Sequence, residues 1–171
     1  IEKLIDDKLL YGLGISICDV STELIAKIHK FPNAVIHVIN GIIKPQDIVI
    51  LSNNNLKMLI LGYKQFRRGK DWYDVNSSKI LENQAWLYEN LENIISKFQV
   101  VSFDNLGIEQ LNPKRLMSSD DWDQFYMGDD GTMTFYIDLV ENKFAQSSIG
   151  QERYDLLDNI DDMFNVVVNG Y

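Results

Sequence analysis

The sequence has little cysteine and no long apolar run. Its single cysteine, Cys18, cannot form an intramolecular disulfide, and such sparing use of cysteine favours a reducing, cytoplasmic compartment. The longest apolar stretches, such as residues 58–61, are far shorter than the roughly 20 residues that span a bilayer. No charged segment followed by an apolar one opens the chain. We therefore predict neither secretion nor insertion into a membrane.

Positive charge is also scarce. The 171 residues include 16 Lys and Arg against 25 Asp and Glu, which gives a net charge of −9. General nucleic-acid binding needs a cationic surface that displaces counterions from phosphates, so this class of function is excluded. Twelve of the 25 acidic residues lie between Asp120 and Asp162, where a solvated face is the simplest explanation. The main basic cluster lies in the middle of the chain and consists of Lys64, Arg67, Arg68 and Lys70.

What the sequence does contain is typical of a folded domain, with 46% hydrophobic and 24% charged residues. Short β-rich runs alternate with helical periodicity, which is the pattern of βαβ units and a mainly parallel sheet. We predict strands near residues 11–18, 34–39, 56–61 and 100–103. Between the last two, Ser77 or Ser78 is expected to cap the best-defined helix. The fold class predicted is α/β.

The pattern changes after Pro113. A short acidic helix is expected after Ser118 or Ser119, followed by an antiparallel hairpin within residues 132–148. A final helix near residues 156–164 and a last short strand at residues 166–168 complete the prediction. We therefore divide the chain into residues 1–112, the βα part, and residues 113–171, a helix–hairpin–helix extension packed on it.

Candidate functional residues follow the predicted strands. In parallel α/β folds the loops at the carboxyl ends of the strands open onto one face and carry the functional groups. Asp and Asn are also good turn and cap residues, which is the alternative explanation for several of these positions. The polar residues after the four strands are, in chain order, Asp19, then Asn40 with Gly41, then Tyr63, Lys64, Arg67 and Arg68, then Asp104 with Asn105.

The segment Arg67-Arg68-Gly69 has the most suggestive chemistry. Two planar guanidinium groups next to a flexible glycine are suited to gripping a carboxylate or a phosphate. The alternative is that both arginines pair with the acidic C-terminal segment and bind nothing. A dinucleotide fingerprint, a Walker loop, a nucleophile elbow and a metalloprotease motif are all missing from the sequence. Composition and spacing alone thus indicate an α/β domain with one polar edge.

Five segments, in this order, resemble the C-terminal half of radical S-adenosylmethionine (radical SAM) proteins, in particular a group found in phages and their bacterial hosts. They are FPNAVIHVINGI (31–42), LKMLILGYKQFRRG (56–69), VVSFDNLGIEQL (100–111), KRLMSSDDWDQFYMGDDG (114–131) and FYIDLVENKFAQSS (135–148). The resemblance covers most of residues 10–150. It implies a parallel-stranded partial (βα) barrel, or half-barrel, with a C-terminal α+β extension that contains a β-hairpin.

The resemblance also implies cofactors for the full-length protein. In the family a [4Fe–4S] cluster is held by three cysteines in the loop after the first strand. S-adenosylmethionine lies across the carboxyl ends of the strands, and its reductive cleavage yields a radical that takes hydrogen from the substrate. Here a CxxxCxxC motif is missing and Cys18 is alone, whereas three thiolates are needed to leave one iron open for the cofactor. This chain alone therefore cannot bind the cluster, and no metal ligand is assigned.

The resemblance carries over to Arg68-Gly69 after the third strand and to Asp104-Asn105 after the fourth, without assigning either a chemical role. Together with the residues at the other strand ends, they form the predicted cofactor- or substrate-binding set. That set is Asn40, Lys64, Arg67, Arg68, Gly69, Asp104 and Asn105.

Two functions remain open at this point. The chain is the C-terminal portion of a radical SAM-like enzyme acting on a small molecule or peptide, with the cluster loop in a missing N-terminal half or a partner chain. Alternatively, it is a non-enzymatic binding or interaction module of phage or prophage origin. That module would use the acidic C-terminal segment, with Trp122 and Tyr126, as its partner surface.

Overall fold

The computed structural model describes residues 1–17, 20–31 and 33–170. Cys18 and the predicted site residue Asp19 lie outside the described residues. The chain divides into two compact units, Ile1–Met117 and Ser118–Tyr171. The division predicted from the sequence, before Pro113, lies close to this boundary, and the packing of the extension on the first part stays a prediction. Within the described ranges, no helix combines the length and the apolar character needed to cross a membrane.

The first unit is built around a four-stranded parallel sheet in the order β1-β2-β3-β4. The predicted strands and their parallel arrangement are confirmed. The elements are α1 (Glu2–Asp6), β1 (Leu13–Ser16), α2 (Thr22–Ile28), β2 (Ala34–Ile39), α3 (Pro45–Leu51), β3 (Lys57–Leu61), α4 (Arg68–Ile95), β4 (Val100–Phe103), α5 (Asn105–Leu111) and a 3₁₀ helix (Pro113–Leu116).

Only one face of this sheet is fully covered. Side chains alternate between the two faces of a strand, so the buried Ile36 and Val38 of β2 share a face with their register partners Met58 and Ile60 of β3. The core that contains this covered face also contains apolar residues of helices α2 to α5, so all four helices pack on that side. The other side, the open face, is only partly buried and includes the exposed Val100.

Helix α4 begins earlier than predicted. The helical turns from Arg68 were not predicted, whereas the expected cap at Ser77 or Ser78 lies next to the break between the two helical segments of α4. The backbone leaves helical geometry only at Asn76 (φ −124°, ψ 15°), where the helix is kinked. The first buried residue of α4 is Ile80, so the turns before the kink carry no apolar periodicity that would mark them as helix in the sequence.

The second unit contains a three-stranded antiparallel sheet in the order β5-β6-β7. The hairpin predicted within residues 132–148 is confirmed, and a third short strand adds to it. The predicted strand at 166–168 is wrong, because those residues continue the last helix. The elements are α6 (Ser119–Phe125), β5 (Tyr136–Asp138), β6 (Lys143–Ala145), β7 (Tyr154–Asp155) and α7 (Ile160–Asn169).

An aromatic cluster forms the core of the second unit. Phe144 of β6 is fully buried, and its ring lies 5.3 Å from that of Tyr154 and 6.2 Å from that of Phe135. The ring of Phe164 in α7 lies 5.8 Å from Phe135. Packing of this face, with the buried Met163, outweighs the strand preference of the three consecutive valines and keeps them helical.

Candidate functional site

The carboxyl ends of β2, β3 and β4, which we call the carboxyl edge, are joined by backbone and side-chain hydrogen bonds. The N–H of Asn40, directly after β2, donates to the carbonyl of Leu61 at 2.8 Å. Asp104 caps α5, and its Oδ1 accepts from the N–H of Gly107 (2.7 Å) and from the N–H of Gly62 (2.8 Å). Asp104 therefore fastens α5 to the end of the neighbouring strand.

Gln110 of α5 forms a second connection at this edge. Its Oε1 accepts from Asn40 Nδ2 and from the N–H of Tyr63, both at 2.9 Å, and its Nε2 donates to the carbonyl of Tyr63 at 3.0 Å. Asn40 is 1% exposed and lies on the covered side of the sheet, among the helices. Its Oδ1 is buried and has no hydrogen-bond partner among the described residues. The structure thus places Asn40 inside the fold.

The start of α4 is held to the end of β3. The hydroxyl of the buried Tyr63 donates to the carbonyl of Gly69 at 2.6 Å. Burial raises the pKa of the Tyr63 phenol, and the nearby Tyr73 and Asp74 raise that pKa further. A side chain at Gly69 would collide with the carbonyl oxygen of Lys64, so glycine is required for this close approach.

The first turns of α4 begin at the carboxyl edge. Ile80, the first buried residue of the helix, contacts Gly41 at the carboxyl edge, where a Cβ on the glycine would lie 2.7 Å from Ile80 Cγ2. Residues 68–76, up to and including the kink at Asn76, precede Ile80 in the helix, and we call them the arm. At about 1.5 Å per residue the arm is roughly 13 Å long. Its first residues are held at the carboxyl edge, where Tyr63 bonds to Gly69 and the ring of Tyr73 lies 6.1 Å from that of Tyr63.

The predicted cationic residues are at the base of this arm. Arg68 is exposed and lines an open hollow of about 270 Å³ together with Asp71, Trp72, Val75 and Asn76. Arg67 has a strained backbone (φ 49°, ψ −127°), and its guanidinium lies 5.4 Å from the ring centre of Phe66. Lys64 is exposed. The accessible lining of the hollow is mainly apolar, with one basic residue, Arg68, and one acidic residue, Asp71.

The seven predicted site residues therefore divide into two groups. Asn40 and Asp104 belong to the hydrogen-bonded carboxyl edge, and the half-buried Asn105 is the first residue of α5. The other group, at the base of the arm, consists of Lys64, Arg67, Arg68 and Gly69. Asp104 does not line the hollow that contains Arg68.

Three residues of the carboxyl edge were not predicted from the sequence: Gln110, Gly62 and Asn83. Asn83 is buried in α4 and donates to the carbonyl of Gly41 at 3.1 Å. It lies between Ile80 and Leu87 on the apolar face of the helix. A polar residue on an apolar face is recognisable in the sequence and could have identified Asn83 as a candidate. Gln110 and Gly62 had no comparable signal, because neither interrupts a recognisable pattern.

Among the residues that the structure describes, no three His, Cys, Asp or Glu side chains are grouped so that they could hold a metal ion. With one cysteine in the sequence, the chain does not fit a cluster that needs three thiolates. Comparison with protein-family models, with curated proteins and with solved structures found no match to this chain.

Proposed function

We propose that this chain is the C-terminal portion of a radical SAM-like enzyme and supplies part of a (βα) barrel. The observation that carries the proposal is the strand order β1-β2-β3-β4, all parallel, with the helices on one face. A doubly wound sheet reverses its strand order and is covered on both faces. A barrel keeps the strands in chain order and carries its helices only on the outside. The chain-order strands and the one-sided helices of the first unit therefore support a barrel.

The open face would line the interior of such a barrel. Barrel interiors are filled by layers of side chains, and each layer is contributed by alternate strands. One row of register partners across the open face consists of Ser16, His37, Leu59 and Ser102. The ring of His37 lies over Gly14, where a Cβ would be 2.6 Å from His37 Cε1. Further strands, upstream or on a partner chain, would complete the barrel and cover this face.

In this proposal the chain positions ligands and does not hold the cluster. The cysteines that bind the cluster belong to the polypeptide that completes the barrel. When bound, S-adenosylmethionine supplies the hydrogen-abstracting chemistry. Arg68 and Lys64 are the exposed cations beside the carboxyl edge, and their charge suits the carboxylate of that cofactor or of a substrate. The substrate is a small molecule or a peptide.

Iron analysis tests the proposal. The gene product is purified anaerobically from its natural host together with any chain that copurifies, and its iron content and visible spectrum are compared with those of the 171-residue chain. We expect iron–sulfur absorbance in the natural material and none in the chain alone after reconstitution, because one cysteine cannot supply three ligands. Natural material without iron would refute the enzyme proposal, and stoichiometric cluster binding by the chain alone would refute the ligand assignment.

Substitution of Arg68 tests the role of the arm in the same material. We expect Arg68→Ala to weaken binding of S-adenosylmethionine or substrate by about 1.5–3 kcal/mol, the range for hydrogen bonds to charged groups. Arg68→Lys should restore only part of the lost binding energy, because lysine keeps the positive charge but lacks the planar guanidinium that can donate two hydrogen bonds to one anion. Binding is measured by calorimetry, with the exposed Lys27→Ala as the control. Equal effects of both alanine variants would remove Arg68 from the site.

The alternative, a non-enzymatic interaction module, is favoured by one feature of the second unit. Leu139 and Val140 are strongly exposed at the end of the β5–β6 hairpin, where their apolar side chains are accessible to a partner. The iron analysis separates the two functions. A module would copurify with a partner protein but would contain no iron and would not bind S-adenosylmethionine.

A further inference from the structure

The loop between β5 and β6 ends in an apolar tip, formed by Leu139 and Val140. Their exposed fractions are 77% and 92%. Two adjacent aliphatic side chains projecting fully into water bring no burial energy to the fold. Their presence therefore points to a contact outside the unit.

The tip is held in one conformation by Asp138, the residue just before it. Asp138 is buried, and its Oδ1 accepts from the N–H groups of Val140 (3.0 Å) and Glu141 (3.1 Å). The Tyr136 hydroxyl donates to Asp138 Oδ2 at 3.2 Å, and Arg153 Nη1 lies 4.0 Å from the same atom. A projection fixed in this way loses little conformational freedom when it binds.

The hollow on the arm offers an accessible apolar surface. It is open, has a volume of about 270 Å³, which is enough room for aliphatic side chains, and is lined by Arg68, Asp71, Trp72, Val75 and Asn76. Trp72 is 55% exposed and Val75 is 82% exposed, so the walls of the hollow are accessible apolar groups. Aromatic and arginine side chains are the residue types that most often dominate protein–protein contacts.

The segments that carry the two surfaces also have opposite net charge. Residues 64–76 include four basic and two acidic side chains, whereas residues 118–171 include twelve acidic and two basic ones. This complementarity, together with the match of an apolar projection to an apolar hollow, identifies the occupant. We infer that the tip of one copy of this chain docks in the hollow on the arm of a second copy.

The geometry determines what such docking produces. Tip and hollow are different surfaces, so the contact is heterologous, and repetition gives a ring or an open chain of copies. Two side chains in one hollow form a small interface, so the association is weak and visible only at high protein concentration. Because opposite charges face each other, added salt weakens it. Docking does not require the enzyme function proposed above.

Sedimentation velocity of the wild-type chain and two blocked variants tests the inference. The tip is blocked by Leu139→Ser with Val140→Ser, and the hollow by Arg68→Glu with Val75→Ser. All four positions are exposed, so the fold should persist, and circular dichroism verifies this. We expect the wild-type mass to rise above 19.8 kDa with concentration, and each blocked variant to stay at that mass.

An equimolar mixture of the two blocked variants gives the sharpest result. One copy keeps an intact hollow and the other an intact tip, so the mixture should form pairs and nothing larger. Matched controls remove exposed apolar side chains elsewhere, with Val49→Ser in the first unit and Met133→Ser in the second. The inference is overturned if the wild-type chain stays monomeric, if the mixture stays monomeric, or if the controls weaken association as much as the blocked variants.

Discussion

At the scale of single residues, the polar groups of the carboxyl edge connect strands to helices. Gln110 alone makes three hydrogen bonds to the ends of β2 and β3, and Asp104 makes two more from its Oδ1. These groups hold the backbone from which the arm extends. Their first role is therefore structural, whichever ligand the edge binds.

Gln110→Ala tests this role. The substitution removes the acceptor for Asn40 Nδ2 and for the N–H of Tyr63, and both residues are buried. Each buried group left without a partner costs about 1–3 kcal/mol, so we expect the free energy of unfolding to fall by roughly 2–4 kcal/mol. Chemical denaturation measures the change.

Glu109→Ala is the matched control for that measurement, because Glu109 is exposed on the same helix and should change stability by about 0.5 kcal/mol or less. Equal losses for the two variants would show that the Gln110 network does not stabilise the fold.

Single residues of the site were predictable only in part. Asp104 was predicted because an acidic residue directly after an apolar strand is a recognisable pattern. Its role as the N-cap of α5 was not predicted, because the sequence pattern did not indicate that helix. Gly107 lies within that helix and lowers its intrinsic propensity. In the structure Gly107 is needed because a Cβ there would lie 2.7 Å from the carbonyl oxygen of Ile60. Such a requirement exists only in three dimensions.

At the scale of elements, α4 has two parts with different surroundings. From Ile80 to Ile94 its apolar residues are buried in the core, whereas residues 68–79 contain none that is buried. The kink at Asn76 falls within this unburied half. Helical stability in proteins comes mainly from packing of an apolar face, so the arm should open more easily than the rest of α4.

Hydrogen exchange measures this difference. We expect backbone amides of residues 72–76 to exchange at least about tenfold faster than those of residues 84–94, because the arm buries no apolar side chain of its own. The second half of α4 is the internal control, since it has the same helical geometry and differs in burial. Equal protection in both halves would show that the arm is stabilised by contacts other than those of a buried apolar face.

The elements themselves were predictable where one physical signal dominated. Strands β2 and β3 are nearly continuous apolar runs, and their observed limits agree with the predicted ones within one residue. The arm was not predicted because helical turns that bury no face need no regular spacing of apolar residues, and that spacing is the signal by which a helix is recognised in the sequence. The valines of α7 suggested a strand because β-branched residues favour strands locally, and only their packing in the second unit keeps them helical.

At the scale of the whole molecule, the two units differ in architecture and in charge. The first is a parallel sheet with helices on one face, and the second is a small antiparallel sheet with two helices and twelve of the 25 acidic residues. The alternation of strands and helices in the sequence was enough to predict this change of character. The sequence pattern could not reveal that one sheet face stays partly open, because a strand buried on one side and half-covered on the other is almost as apolar as one buried on both.

The strand order has a further consequence, which concerns how the chain acquires its structure. Each of the first three strands of the parallel sheet pairs with the strand that comes next along the chain. Every strand after β1 therefore finds a pairing partner that has already been synthesised. Low sequence separation between contacting residues favours fast folding, and domains generally fold in order as they are synthesised. The parallel sheet is complete once Phe103 has left the ribosome. It can therefore begin to form before translation of the acidic second unit is finished.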